Sequence, residues 1–149
     1  PHLLLQKFPA ASFTATTALD FSSPTEGECA GLIVFGHDYA WVGLANNAGQ
    51  PQVVLRANRS AQNHAKENEI ARVAVNSFKV FLRVTVNSQA RCRFSYSLDA
   101  ESFVAIGDEF TARAGKWVGA KVGLFATSGP VLPSDKTGHA DFDFFRVTP

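Results

Sequence analysis

Methionine is absent from all 149 residues, and the chain begins at Pro1. A complete open reading frame starts with methionine, so the sequence reads as an excised or processed piece of a longer protein. No apolar run approaches the roughly 20 residues that span a bilayer, and no signal-peptide pattern opens the chain. No block of like charge occurs and the net charge is +1, so nothing points to nucleic acid or to an anionic membrane. Cysteine is scarce, with only Cys29 and Cys92. Two cysteines make no disulfide framework, and their separation excludes CxxC zinc chemistry; both are expected to be free, partly buried thiols. The GxSxG elbow, the P-loop and HExxH are all missing.

What the chain has is alternation. Gly31 to Leu44, GLIVFGHDYAWVGL, reads as two strands around a Gly36-His37-Asp38 turn. In the second strand Ala40, Val42 and Leu44 take one face and suit a core; Tyr39, Trp41 and Gly43 take the other. Elsewhere Phe13, Ala15, Thr17 and Leu19 alternate with Thr14, Thr16 and Ala18. Val80, Leu82, Val84 and Val86 alternate with Phe81, Arg83 and Thr85. Val122, Leu124 and Ala126 alternate with Lys121, Gly123, Phe125 and Thr127. Near the end, Phe142 and Phe144 are expected on one face and Asp141 and Asp143 on the other. Asn46 to Pro51 reads as a hairpin turn, the prolines and glycines between Ser128 and Gly138 as a long loop, and Trp117 as the start of a segment. The polar stretch Asn58 to Asn68 lacks a helical stripe and reads as a loop or irregular hairpin end. Roughly ten to twelve short strands with closely spaced turn signals predict an all-β chain, a single-domain antiparallel β-sandwich.

Catalytic chemistry is hard to find. A glycosidase needs two carboxylates at a defined separation, whereas the 13 carboxylates here fall mostly in predicted turns, where they are solvated or bond the backbone. His37 beside Asp38 invites an acid–base reading, but neighbours on a turn seldom face each other; both remain candidates for ligand contact. Asp141 and Asp143 offer oxygens to a structural Ca²⁺, yet that cation takes six to eight ligands, and bonding to nearby loops is the competing reading. The stronger candidate is a mixed polar and aromatic face. Tyr39 and Trp41, with Phe125 and Arg83 from other strands, would form a platform for a sugar ring if those strands are neighbours. The alternative leaves Trp41 as packing under a loop.

Four stretches carry a family resemblance across almost the whole chain: LLLQKFPAASFTATTAL, GECAGLIVFGHDYAWVGL, RCRFSYSLDAESFVAIGDEFTARAGKWVGAKVGLFAT and ADFDFFRV. With them the chain resembles the C-terminal β-sandwich module of family 43 glycoside hydrolases, the β-xylosidases and α-arabinofuranosidases. The resemblance implies a concanavalin A-like jelly roll spanning 1–149, attached to a five-bladed propeller that holds the catalytic acids. It implies a non-catalytic module that binds xylan or xylo-oligosaccharide and targets the attached enzyme to hemicellulose, in an extracellular or periplasmic setting. The alternative it leaves open is a structural accessory that packs on the propeller and shapes its substrate rim. Phe144 stands where the family often has Trp, and Cys29 where it often has a basic residue, so no ligand role for that Trp and no family-wide disulfide carries over.

Overall fold

The computed structural model describes residues 2–22, 26–115, 119–128 and 138–149. The expectations for Trp117 and for the loop over 129–137 fall outside them. Twelve strands appear: β1 (His2–Lys7), β2 (Phe13–Ser22), β3 (Cys29–Phe35), β4 (Tyr39–Asn47), β5 (Gln50–Asn58), β6 (Asn68–Ala74), β7 (Lys79–Val86), β8 (Arg91–Ser97), β9 (Val104–Ala105), β10 (Phe110–Thr111), β11 (Lys121–Thr127) and β12 (His139–Thr148). The polar stretch after β5 contains a single 3-10 turn, Ala61–Asn63. It is the only helical element among the described residues, as expected of a segment with no apolar stripe to bury.

The strands form two antiparallel sheets. The first runs β1-β11-β3-β4-β5-β6; the second runs β10-β8-β7-β2-β12, with β9 on β8. Period-2 alternation gives each sheet one apolar face, and those faces meet in one core. Leu32, Val34, Val42, Leu44, Val53 and Leu55 from the first sheet pack on Phe13, Leu19, Leu82, Val84 and Phe94 from the second. The expected hairpin between β4 and β5 is present. Its tip, Ala48 and Gly49, has φ of 50° and 83°, the left-handed pair that a two-residue hairpin loop requires. Asn46 Oδ1 accepts the Gly49 N–H at 2.8 Å.

Two β-bulges decide what the outer faces carry. Between β5 and β6 the register passes from Leu55↔Ala71 to Arg56↔Glu69. Ile70 is the extra residue, and it packs against the core. The bulge therefore sets Glu69, not Ile70, opposite Arg56. Between β12 and β2 the register passes from Phe142↔Leu19 to Phe144↔Ala18, with Asp143 left over. This corrects the expectation that Phe142 and Phe144 share a face. Phe142 packs on the core with Phe145 and Val147, while Phe144 and Arg146 pair with Ala18 and Thr16 on the outer side. The Thr17 hydroxyl donates to the Phe144 carbonyl at 2.6 Å and holds the shifted strand.

Candidate functional site

The first sheet buries a second apolar cluster, on its outer side: Cys29, Ile33, Trp41, Val54 and Phe125, with Leu5, Phe35, Tyr39 and Ala45 packed around it. The register explains how rings fit there. Ile33 lies beside Gly123, Gly31 beside Phe125, and Gly31 beside Gly43. A Cβ on Gly31, Gly43 or Gly123 would stand 2.0–2.2 Å from the carbonyl oxygen of an adjoining strand, far inside contact distance. Only glycine fits, and the bare strip lets the Trp41 and Phe125 rings approach to 4.8 Å, tilted by 58°.

Trp41 is locked on every side that the described residues reach. Its indole N–H donates to Glu67 Oε2 at 2.8 Å, and the Arg56 guanidinium lies 5.6 Å from its ring centroid. Arg56 in turn contacts Glu67 at 3.5 Å and Glu69 at 3.2 Å. Arg72 holds Glu69 at 2.6 Å and also donates to Gln52. The paired arginines, Arg72 foremost, hold the Glu69 carboxyl below its usual range. The indole keeps only 4% of its surface exposed. The expectation of an open indole platform is corrected on that ground: packing against Phe125 and the Glu67 hydrogen bond close it. What remains open is a groove of about 680 Å³ beside the cluster, lined by Ile33, Phe35, Tyr39, Trp41, Arg56, Glu67 and Phe125 among others. Tyr39 and Phe35 stack at 6.2 Å and 18° along one wall. Burial and then the Glu67 charge push the Tyr39 phenol up, so it remains a neutral hydroxyl at neutral pH. Cys29 also lines this groove, and burial pushes its thiol up to about 11; Cys92 rises to about 12 in the core. Both cysteines are free and buried.

The candidates from the sequence divide. Tyr39, Trp41 and Phe125 come together, because β11, β3 and β4 are consecutive in the first sheet. Arg83 does not join them. It lies on β7 in the second sheet, its backbone paired with Thr16, on the opposite outer face of the sandwich. Asp38 is not available to a ligand: it is buried, and Arg113 donates to its two oxygens at 2.5 and 2.8 Å. The same tether reaches His37, whose N–H donates to the Arg113 carbonyl at 3.3 Å. That turn is an anchor for the 110–115 segment, and His37 is not among the groove-lining residues. The sequence reading missed Arg56 and Glu67. Arg56 shares the outward phase of β5 with Val54, a usable signal; Glu67 sits in a polar stretch whose approach to the sheet depends on the bulge.

Among the described residues no group of three or more His, Cys, Asp or Glu gathers at one point. No helix among the described residues is long and apolar enough to cross a membrane, which says nothing of strands.

Comparison with known proteins places these features in context. The model of the beta xylosidase C-terminal concanavalin A-like domain matches residues 1–148. Solved structures align over nearly the whole chain. A GH43 protein of Bacillus licheniformis aligns with a TM-score of 0.80 at 22% identity, over 98% of this chain and 29% of that one. A bifunctional GH43-CE protein of Bacteroides eggerthii aligns with a TM-score of 0.84 at 24% identity, over 98% of this chain and 18% of that one. The xylan beta-1,4-xylosidase of Bacillus halodurans C-125 aligns with a TM-score of 0.80 at 15% identity, over 99% of this chain and 29% of that one. No curated protein sequence matches.

Proposed function

The chain belongs to the beta xylosidase C-terminal concanavalin A-like domain family, and from that membership we propose that it is a non-catalytic carbohydrate-binding module of a GH43 enzyme. Its ligand is xylan or a xylo-oligosaccharide, and its role is to hold an attached catalytic propeller on hemicellulose, outside the cell or in the periplasm. The observation that carries this reading is the groove above the first sheet. Its floor is apolar and aromatic, and its rim bears the Tyr39 hydroxyl and the Arg56–Glu67 pair. A pyranose ring has apolar C–H faces and a belt of hydroxyls, so it needs this mixture: ring surface to lie on, and fixed donors and acceptors at the edge. Trp41 supports the floor from beneath, and Tyr39 and Phe35 are the rings that sugar would meet. The GH43 xylosidases among the similar structures make xylan the first polymer to try.

Affinity electrophoresis of the chain through xylan, arabinoxylan, cellulose and mannan tests this. Retardation by the xylans is expected, with no sugar released from aryl xyloside by the same repurified protein. Tyr39→Ala should weaken retention by roughly tenfold, the loss of about one stacked ring, while melting close to wild type. A folded Tyr39→Ala protein retained as strongly as wild type would exclude the groove.

One observation favours the accessory reading instead. Among the described residues the most exposed large apolar side chain is Leu4, 73% exposed, next to Leu3 at 46%, both on the edge strand β1. An apolar edge of this kind suits contact with another domain. That reading predicts no retention by any polysaccharide and measurable affinity for the separate catalytic domain.

A further inference from the structure

On the other outer face, β12, β2 and β7 are neighbours. The bulge at Asp143 brings Arg146 to Thr16, and β7 brings Arg83 to the same Thr16 from the other side. Adjacent strands are about 4.8 Å apart, so two guanidiniums rise from backbones about 10 Å apart with a threonine between them. Arg83 Nε donates to Thr16 Oγ1 at 3.1 Å, and its guanidinium carbon lies 3.5 Å from the centroid of Phe103. Arg146 lies 4.9 Å from the ring of Phe144. One row along, Phe144 and Phe81 flank Ala18. The two arginines, these phenylalanines and Thr16 line a groove of about 320 Å³ together with Thr14 and Thr148.

Among the described residues the two arginines differ from all the others but Arg59 in having no carboxylate partner. Arg56, Arg72, Arg91, Arg93 and Arg113 each pair with a carboxylate, and Arg59 donates to a backbone carbonyl. Among the described residues Arg83 and Arg146 have no acidic partner. Phenylalanine rings hold them instead, which fixes their direction without using up the donors facing the groove.

We propose that this groove binds the carboxylate of a uronic acid, an acidic sugar carried on a polysaccharide. A guanidinium fork matches a carboxylate with two parallel hydrogen bonds. The half-buried rings of Phe81 and Phe144 meet the apolar face of the pyranose that bears it, and the threonine hydroxyls reach its ring hydroxyls. A bare phosphate offers the rings nothing. The volume is at the small end of ligand sites, which fits a decoration on a polymer better than a long stretch of main chain. The site stands on its own face and does not require the groove above the first sheet to take sugar.

The test uses a xylan bearing glucuronic acid and the same polymer after chemical reduction of its carboxyl groups to neutral alcohols. Retention should be roughly tenfold stronger on the acidic polymer at moderate salt. Arg146→Gln and Arg83→Gln should each remove most of that difference. Arg146 is exposed on a terminal strand, so its variant should melt as wild type and carry the result even if Arg83→Gln loosens the Phe103 contact. Tyr39→Ala should leave the ratio between the two polymers intact. That outcome separates this site from the groove above the first sheet, even where neutral xylan is not retained at all. Equal retention on both polymers, or a ratio unchanged in Arg146→Gln and Arg83→Gln, overturns the proposal. So does retention by polyglutamate equal to that by the acidic xylan, which would reduce the site to charge alone.

Discussion

Above the first sheet the outward arginines, Arg56 and Arg72, face carboxylates; above the second, Arg91 and Arg93 of β8 share Glu109, while Arg83 and Arg146 face phenylalanine rings. The same residue types therefore do opposite work. On the first sheet the ion pairs hold one another beside the indole and leave the Tyr39 and Phe35 rings open to the groove. On the second the rings form a backing and leave the charge free. An arginine already matched to two carboxylates has little left to offer an anionic ligand, whereas one stacked on an apolar ring retains its donors. Under the two proposals made above, the faces differ accordingly: hydroxyls and apolar ring faces on one, acid groups on the other.

The sharpest way to break the comparison is to remove a ring from each side. Trp41→Ala should destabilise by about 3–5 kcal/mol, as for other buried large aromatics, and lower the melting temperature by roughly 10 °C or more. Phe144→Ala, from a half-buried position, should cost about 1 kcal/mol or less. Equal losses by thermal melting would mean that the two faces are alike. A smaller effect is expected at the sheet centre. Gly43→Ala would put a Cβ 2.2 Å from the Ala30 carbonyl oxygen, and relief of that overlap should cost about 1–3 kcal/mol. Denaturant titration of Gly43→Ala should show a lowered midpoint; an unchanged one would remove the glycine strip as the reason the rings fit.

The smallest effect concerns the turn that presents Phe103 to Arg83. Asp99 accepts the N–H groups of Ser102 at 2.8 Å and Glu101 at 2.9 Å, and the Ser97 hydroxyl at 2.8 Å. These bonds, Ser102 first, hold its carboxyl down to about 2. A lowered carboxyl stabilises the fold fully above its unfolded value, about 3.9, and that contribution is lost as the pH falls through about 2. Asp99→Ala should melt slightly below wild type at pH 7, and the gap should close between about pH 4 and pH 2. A gap that persists at pH 2 would assign the difference to packing.

Much of this arrangement was legible in the residues. Tyr39, Trp41 and Gly43 had to share a face opposite Ala40, Val42 and Leu44, because strand side chains alternate with period two. The all-β fold followed from the same local rules. Which strands lie side by side did not follow. Arg83 and Trp41 have the same outward phase, and nothing local says that one belongs to each sheet. The bulges were equally silent: Asp141, Phe142, Asp143 and Phe144 alternate in the sequence, while the extra residue at Asp143 reverses the phase of everything after it. Glu67 meets Trp41 from beyond a bulge at Ile70 that shifts the register of β6 on β5.

Each sheet is completed by a partner from the far end of the chain: β1 lies on β11, with Leu3 opposite Phe125, and β2 lies on β12, with Ala15 opposite Val147. Pairings over such separations must close long loops before any contact rewards them, so refolding is expected on the millisecond-to-second scale of non-local β topologies. During synthesis the first sheet cannot finish before β11 has emerged, nor the second before β12. Until then β2, the strand between β7 and the edge strand β12, has one edge unpaired.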